Sequence, residues 1–112
     1  MFKNYLTYSF AQSFHRLCLC VDLPQSSKHR LLRSAEQMIH QFTQSLHSKD
    51  TREEGRFLFS ALLNLRDCQE TLAENYLFTG EIETKYEMLQ QRLEKICTEV
   101  AKQEGGQLRM LG

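Results

Sequence analysis

Residues 82–100 read IETKYEMLQQRLEKICTEV, and within them Ile82, Tyr86, Leu89, Leu93, Ile96 and Val100 recur at steps of 4, 3, 4, 3 and 4. A strand would alternate every second residue; this spacing lays one apolar seam along an α-helix, of the kind that packs in bundles. A lone helix of this length cannot bury its seam, so the rest of the chain must supply partners.

Working outward, Thr79-Gly80 marks the break before this helix, because glycine accepts the left-handed geometry of a helix end. Upstream, Phe57, Leu58, Ala61, Leu62, Leu65, Cys68 and Leu72 form a second helical stripe. It is preceded by Thr51-Arg52-Glu53-Glu54, a capping-box pattern in which Thr51 and Glu54 would satisfy each other's exposed backbone donors. Leu31, Leu32, Ala35, Met38, Ile39, Phe42 and Leu46 form a third stripe, which Ser26 or Ser27 would cap. The first stripe is Leu6, Phe10, Phe14, Leu17 and Val21, ended by Asp22-Leu23-Pro24 because proline disfavours helical geometry before it. The expected helices are therefore 4–21, 27–48, 52–78 and 82–103, in one domain over 1–104, followed by a flexible tail at 105–112. Short connections make successive helices antiparallel, giving an all-α, up-down-up-down four-helix bundle.

Bulk properties agree. At 112 residues, with 41% hydrophobic and 25% charged residues, the chain suits one globular domain. One proline and no tryptophan favour long helices over a sandwich or barrel. No stretch approaches the roughly 20 apolar residues of a membrane span, and the start has no signal-peptide pattern. The four cysteines (Cys18, Cys20, Cys68 and Cys97) lack paired spacing, and we expect free thiols in a reducing, cytoplasmic setting.

Chemistry is sparse. Cys18-x-Cys20 with His15 is the most metal-like cluster, but the two thiols would point roughly 200° apart on a helix. His40 and His47 are two turns apart, too far for joint ligation. No nucleophile–base arrangement or phosphate-binding loop is present, and Glu81/Glu83 and Glu94/Glu99 read as solvated helix faces. We expect no catalytic site, no metal and no cofactor.

Charge is more informative. Net charge is zero, yet residues 1–52 hold seven Lys/Arg against three acids, while 53–112 hold seven against eleven. Two readings fit: basic and acidic helices neutralise each other across the bundle or between subunits, or the basic half offers a surface to an anionic partner. On the second reading the run Lys28-His29-Arg30-x-x-Arg33 stands out, with Arg52 and Arg56 bracketing the next helix start. Arg30 and Arg33 share a helical face and would contact one anionic strand, in a salt-dependent way. Arg66 and Asp67 interrupt the polar side of the third helix and would pair with a neighbour. Tyr5 and Tyr8 lie off the first stripe, so either an oligomer interface or the bundle end would take them.

The segments Leu23-Pro24-x-x-x-Lys28-x-x-Leu31, Phe57-Leu58-x-x-Ala61-Leu62-x-x-Leu65-Arg66 and Gly80-x-Ile82-x-x-x-Tyr86-x-x-Leu89 carry a resemblance. Over roughly 4–102 the chain resembles the four-helix-bundle family of ribosomal-RNA intervening-sequence proteins, which includes Avd, the accessory variability protein of diversity-generating retroelements. The resemblance implies a homopentamer around a channel and, for the Avd branch, binding to a reverse transcriptase and its template RNA. By position it implies Lys28, Arg30, Arg33 and Arg66 as nucleic-acid contacts. The expectation is thus a non-enzymatic, oligomeric accessory scaffold; the alternative is a protein-binding bundle with no nucleic-acid role.

Overall fold

Four apolar stripes need four helices, and the computed structural model, which describes the backbone of residues 4–111 and the side chains of 4–104, contains them. They are α1 (Tyr5–Cys20), α2 (Gln25–Leu46), α3 (Thr51–Glu74) and α4 (Gly80–Leu111), with no strand among the described residues. Each helix packs on its two neighbours around a square: α1 on α2, α2 on α3, α3 on α4 and α4 on α1, with no diagonal pair of backbones as close among the described residues. Thr7 meets Arg92 while Phe14 meets Tyr86, and Arg30 meets Asp67 while Lys28 meets the end of α1, so neighbours run antiparallel. The bundle is the one the spacing predicts. None of the helices is long and apolar enough to cross a membrane, among the described residues.

The core takes Leu31, Ala35, Met38 and Phe42 from α2, and Leu58, Ala61, Leu65, Cys68 and Leu72 from α3. From α4 it takes Ile82, Tyr86, Leu89, Leu93 and Val100. Helix α1 departs from expectation. It buries Thr7, Ala11, Phe14 and Cys18, one residue round from the expected line, whereas Leu6 is 50% exposed and Phe10, Leu17 and Val21 are only half-buried. A polar anchor accompanies this rotation. The Arg92 Nε donates to the Thr7 hydroxyl at 3.1 Å, and its guanidinium lies 5.3 Å from the centre of the Phe10 ring. Phe10 thus serves as a platform at the helix margin, where a cation over an aromatic face is favourable. The small Ala11 and Cys18 let the backbone of α1 approach its neighbours.

Boundaries differ for stated reasons. Helix α2 opens at Gln25 without help from Ser26 or Ser27: Pro24 takes the cap position, with φ −52°, and its carbonyl accepts from the Lys28 N–H at 2.8 Å. The capping box of α3 is shifted one residue from Thr51/Glu54. Asp50, in extended geometry, accepts from the Glu53 N–H at 2.8 Å, and the Glu53 carboxylate accepts from the Lys49 N–H at 3.0 Å. Aspartate is at least as good an N-cap as threonine, so the earlier position wins.

Helix α3 stops at Glu74, ahead of the expected 78. The Leu77 N–H reaches the Leu72 carbonyl at 2.8 Å and the Tyr76 N–H reaches Ala73 at 3.1 Å, the paired bonds of a Schellman end. The left-handed residue this motif requires is Tyr76, at φ +60°; Gly80, at φ +67°, opens α4 instead of ending α3. A tyrosine at positive φ is strained, and its side chain is 92% exposed, so it gains nothing from packing. Tyr76→Gly is therefore expected to raise stability by about 0.5–1 kcal/mol, read as a higher urea midpoint at constant slope.

Helix α4 is longer than the expected 82–103, its backbone staying helical to Leu111. Each glycine of Gly105-Gly106 disfavours a helix by roughly 1 kcal/mol relative to alanine, but extending an established helix adds one hydrogen bond per residue. Gly112 of the expected tail lies outside the described residues.

Candidate interaction surface

Lys28 lies one turn into α2, beside the C-terminal end of antiparallel α1. Its ammonium donates to the carbonyls of Cys18 at 3.2 Å, Leu19 at 2.8 Å and also Val21. The last carbonyls of a helix have no partner within it and carry its negative dipole end, so a lysine here is a cap. Lys28, a candidate nucleic-acid contact by sequence, is thus committed to the end of α1. Lys28→Met should cost about 1–2 kcal/mol in chemical denaturation, from charged hydrogen bonds lost at a partly buried helix end.

Arg30 is held as firmly. Its Nη2 donates to Asp67 Oδ1 at 2.6 Å, its Nε reaches the same carboxylate at 3.2 and 3.3 Å, and its Nη1 reaches Glu74 at 3.3 Å. Glu70 stands 3.6 Å away, and the Ser34 hydroxyl donates to Asp67 Oδ2 at 2.5 Å. The hydrogen bond from Arg30, helped by that from Ser34, holds the Asp67 carboxyl below its ordinary range despite partial burial. Part of the charge asymmetry is thus neutralised across the bundle, between α2 and the acids at 67, 70 and 74. Asp67 pairs with a neighbouring helix as expected; Arg66 does not.

The run from Lys28 to Arg33 accordingly presents one uncommitted arginine. Arg33 is exposed above a cavity of about 490 Å³ between α2 and α3, with His29, Gln37 and Asn64. Among the described residues no ion pair within 4 Å holds Arg33, Arg56 or Arg66, and Arg52 reaches Glu104 at 3.8 Å with its side chain 81% exposed. Such an exposed pair contributes little.

The three remaining basic candidates fall on one line. Arg52, Arg56, Phe59, Leu63 and Arg66 follow at steps of 4, 3, 4 and 3 along the outward side of α3, and all are exposed. Phe59 is 59% exposed and Leu63 49%. Helix α3 therefore has two apolar faces, one in the core and one outside. Beside this line runs an open cleft of about 710 Å³ lined by Arg52, Arg56 and Phe59 from α3 and by Cys97, Val100, Ala101 and Glu104 from α4. Sequence reasoning placed Arg52, Arg56 and Arg66 among the candidates but missed Phe59 and Leu63.

Tyr5 and Tyr8 separate. Tyr5 is 63% exposed, Tyr8 is half-buried against the core, and both line a cleft of about 240 Å³ with Thr43, Leu46 and His47 at the far end of α2. The structure thus gives Tyr8 the role of margin packing as well.

Groups able to do covalent chemistry are poorly placed. Burial pushes the Cys18 thiol up to about 12, and burial raises Cys68 as well, which leaves both unreactive near neutrality. Cys20 is exposed on another side of α1, and the His15 Nε2 is enclosed without a hydrogen-bond partner among the described residues. No group of three His, Cys, Asp or Glu side chains able to hold a metal ion occurs among the described residues. Compared with family models, with curated proteins and with solved structures, the chain has no match in any of the three.

Proposed function

We propose that this chain is a non-enzymatic accessory scaffold that acts by contact with proteins, through the outward face of α3. The observation that carries the reading is the exposed pair Phe59 and Leu63, one turn apart and bracketed by Arg52, Arg56 and Arg66. Aromatic and arginine side chains around an apolar centre are what protein interfaces concentrate. The commitment of Lys28 and Arg30 to the fold removes most of the strip on which a nucleic-acid role would rest.

The second reading is the one that the resemblance to Avd implies, an oligomeric module serving an RNA- and reverse-transcriptase-containing machine. Its support is that Arg33, Arg56 and Arg66 have no ion pair within 4 Å among the described residues. A gel-shift titration with structured RNA at low salt separates the two. The protein-binding reading expects no shift, or a weak one equally reduced by Arg33→Glu and by any other loss of positive charge. A tight shift lost selectively in Arg33→Glu or Arg66→Glu would favour the RNA reading.

A further inference from the structure

The outward faces of α3 and α4 carry opposite charges along one cleft. On α4, Glu87, Glu94, Cys97, Ala101 and Glu104 follow at steps of 7, 3, 4 and 3, one straight line on a helix. Glu104 stands level with Arg52 at 3.8 Å, and Glu87 lines a cavity of about 350 Å³ with Arg66. Acids thus stand beside arginines at the two ends of this face, Glu104 by Arg52 and Glu87 by Arg66. Only Arg52 and Glu104 are joined; among the described residues no other ion pair within 4 Å bridges the two lines.

We propose that a second copy of this chain covers this face, related by a twofold axis parallel to the helices. The inference rests on the reading of α3 as a protein-binding surface and names what covers it. Such an axis keeps every residue at its level and exchanges the two lines, so α3 of one copy lies antiparallel on α4 of the other. Arg66 then faces Glu87 of the partner subunit, Arg52 faces the partner's Glu104, and the exposed Phe59 closes over the Cys97–Ala101 segment. A twofold axis across the helices would stack arginine on arginine and glutamate on glutamate, which costs several kcal/mol for like charges. The face is self-complementary in only the first arrangement, and a self-complementary contact closes at two copies.

The area suffices. Two adjacent helices about 20 Å wide over roughly 25 Å of length give a footprint on the order of 500 Å² before side-chain relief. A standard interface takes roughly 800 Å² of accessible surface from each partner. For this chain that is about a tenth of its 7373 Å².

Light scattering coupled to size exclusion tests the inference on the full chain. The native protein should run at twice the single-chain mass of 13.2 kDa. Phe59→Ser, Arg66→Glu and Glu87→Lys, all at surface positions, should each weaken the pair by at least about tenfold. Mixing Arg66→Glu with Glu87→Lys should restore it, because the mixed pair holds only opposite charges at both sites; a merely misfolded variant would not be rescued. A native protein that stays single-chain at high concentration, a mass of five chains, or a dimer indifferent to all three substitutions would overturn the proposal. If the native chain is single but still takes up another protein in a way that Phe59→Ser abolishes, the second copy is ruled out and the protein-binding function stands.

Discussion

Phe14→Ala is expected to destabilise the bundle by about 3–5 kcal/mol, enough to consume much of the stability of a domain this small. Phe14 is fully buried and its ring lies 6.0 Å from that of Tyr86, so it ties α1 to α4. Only small side chains, Thr7, Ala11 and Cys18, accompany it from α1 into the core, and none can fill the space it leaves. The outward Phe59→Ala should change the stability of the single chain by no more than about 0.5 kcal/mol. Urea denaturation of dilute protein checks both: a large drop in midpoint for Phe14→Ala, next to none for Phe59→Ala. Similar losses at the two positions would mean that the α3 face is packed within the chain and not free for a partner.

The second large effect belongs to Asp67. Removing its carboxylate in Asp67→Ala leaves Arg30 among Glu70 and Glu74 without its closest partner and frees the Ser34 hydroxyl. Both ionic side chains are about a third or more exposed, so water screens the pair and the expected cost is about 1–2 kcal/mol. Its pH dependence has a definite sign. The native carboxyl is held below its ordinary value of 3.8, chiefly by the Arg30 hydrogen bond, so the unfolded chain binds the proton first on acidification. The stabilisation is complete above 3.8 and is lost as the pH falls through the lower native value. Urea midpoints measured from neutral pH downward should show native protein and Asp67→Ala converging in that acid range; a difference that persists there would place the cost of the substitution in packing.

Periodicity made three helices legible, because the stripes of α2, α3 and α4 consist of large aliphatic and aromatic residues whose spacing has one solution. It misplaced α1, where the buried line contains Thr7 and Cys18 and the stronger hydrophobes Leu6 and Leu19 stand half outside. Thr7 is met there by Arg92, 85 positions away, a partnership that periodicity does not show. The caps missed by one residue because Asp50 and Thr51 are both good caps and differ in backbone geometry that a sequence does not print. The role of Lys28 was within reach: a lysine one turn past a Leu-Pro break must lie beside the end of the preceding antiparallel helix. The clamp on Arg30 was signalled by acids at 67, 70 and 74, one face of α3. The outward line of α3 was signalled too, by Phe59 and Leu63 spaced four apart off the core stripe, but a search for basic residues alone passed over them.

Thiol labelling across a range of protein concentrations tests most directly that the α3/α4 face is where this protein makes its contacts. Cys97 lies in that cleft, half-buried, with its thiol raised by burial and by Glu94; Cys20 is exposed on α1 and serves as an internal reference. With Cys18 and Cys68 buried, the two more accessible thiols report on two different surfaces. The account predicts that labelling of Cys97 slows progressively as concentration rises while Cys20 keeps its rate, and that Phe59→Ser abolishes the slowing. Slowing at Cys20 with Cys97 unchanged would put the interface on α1 and contradict it.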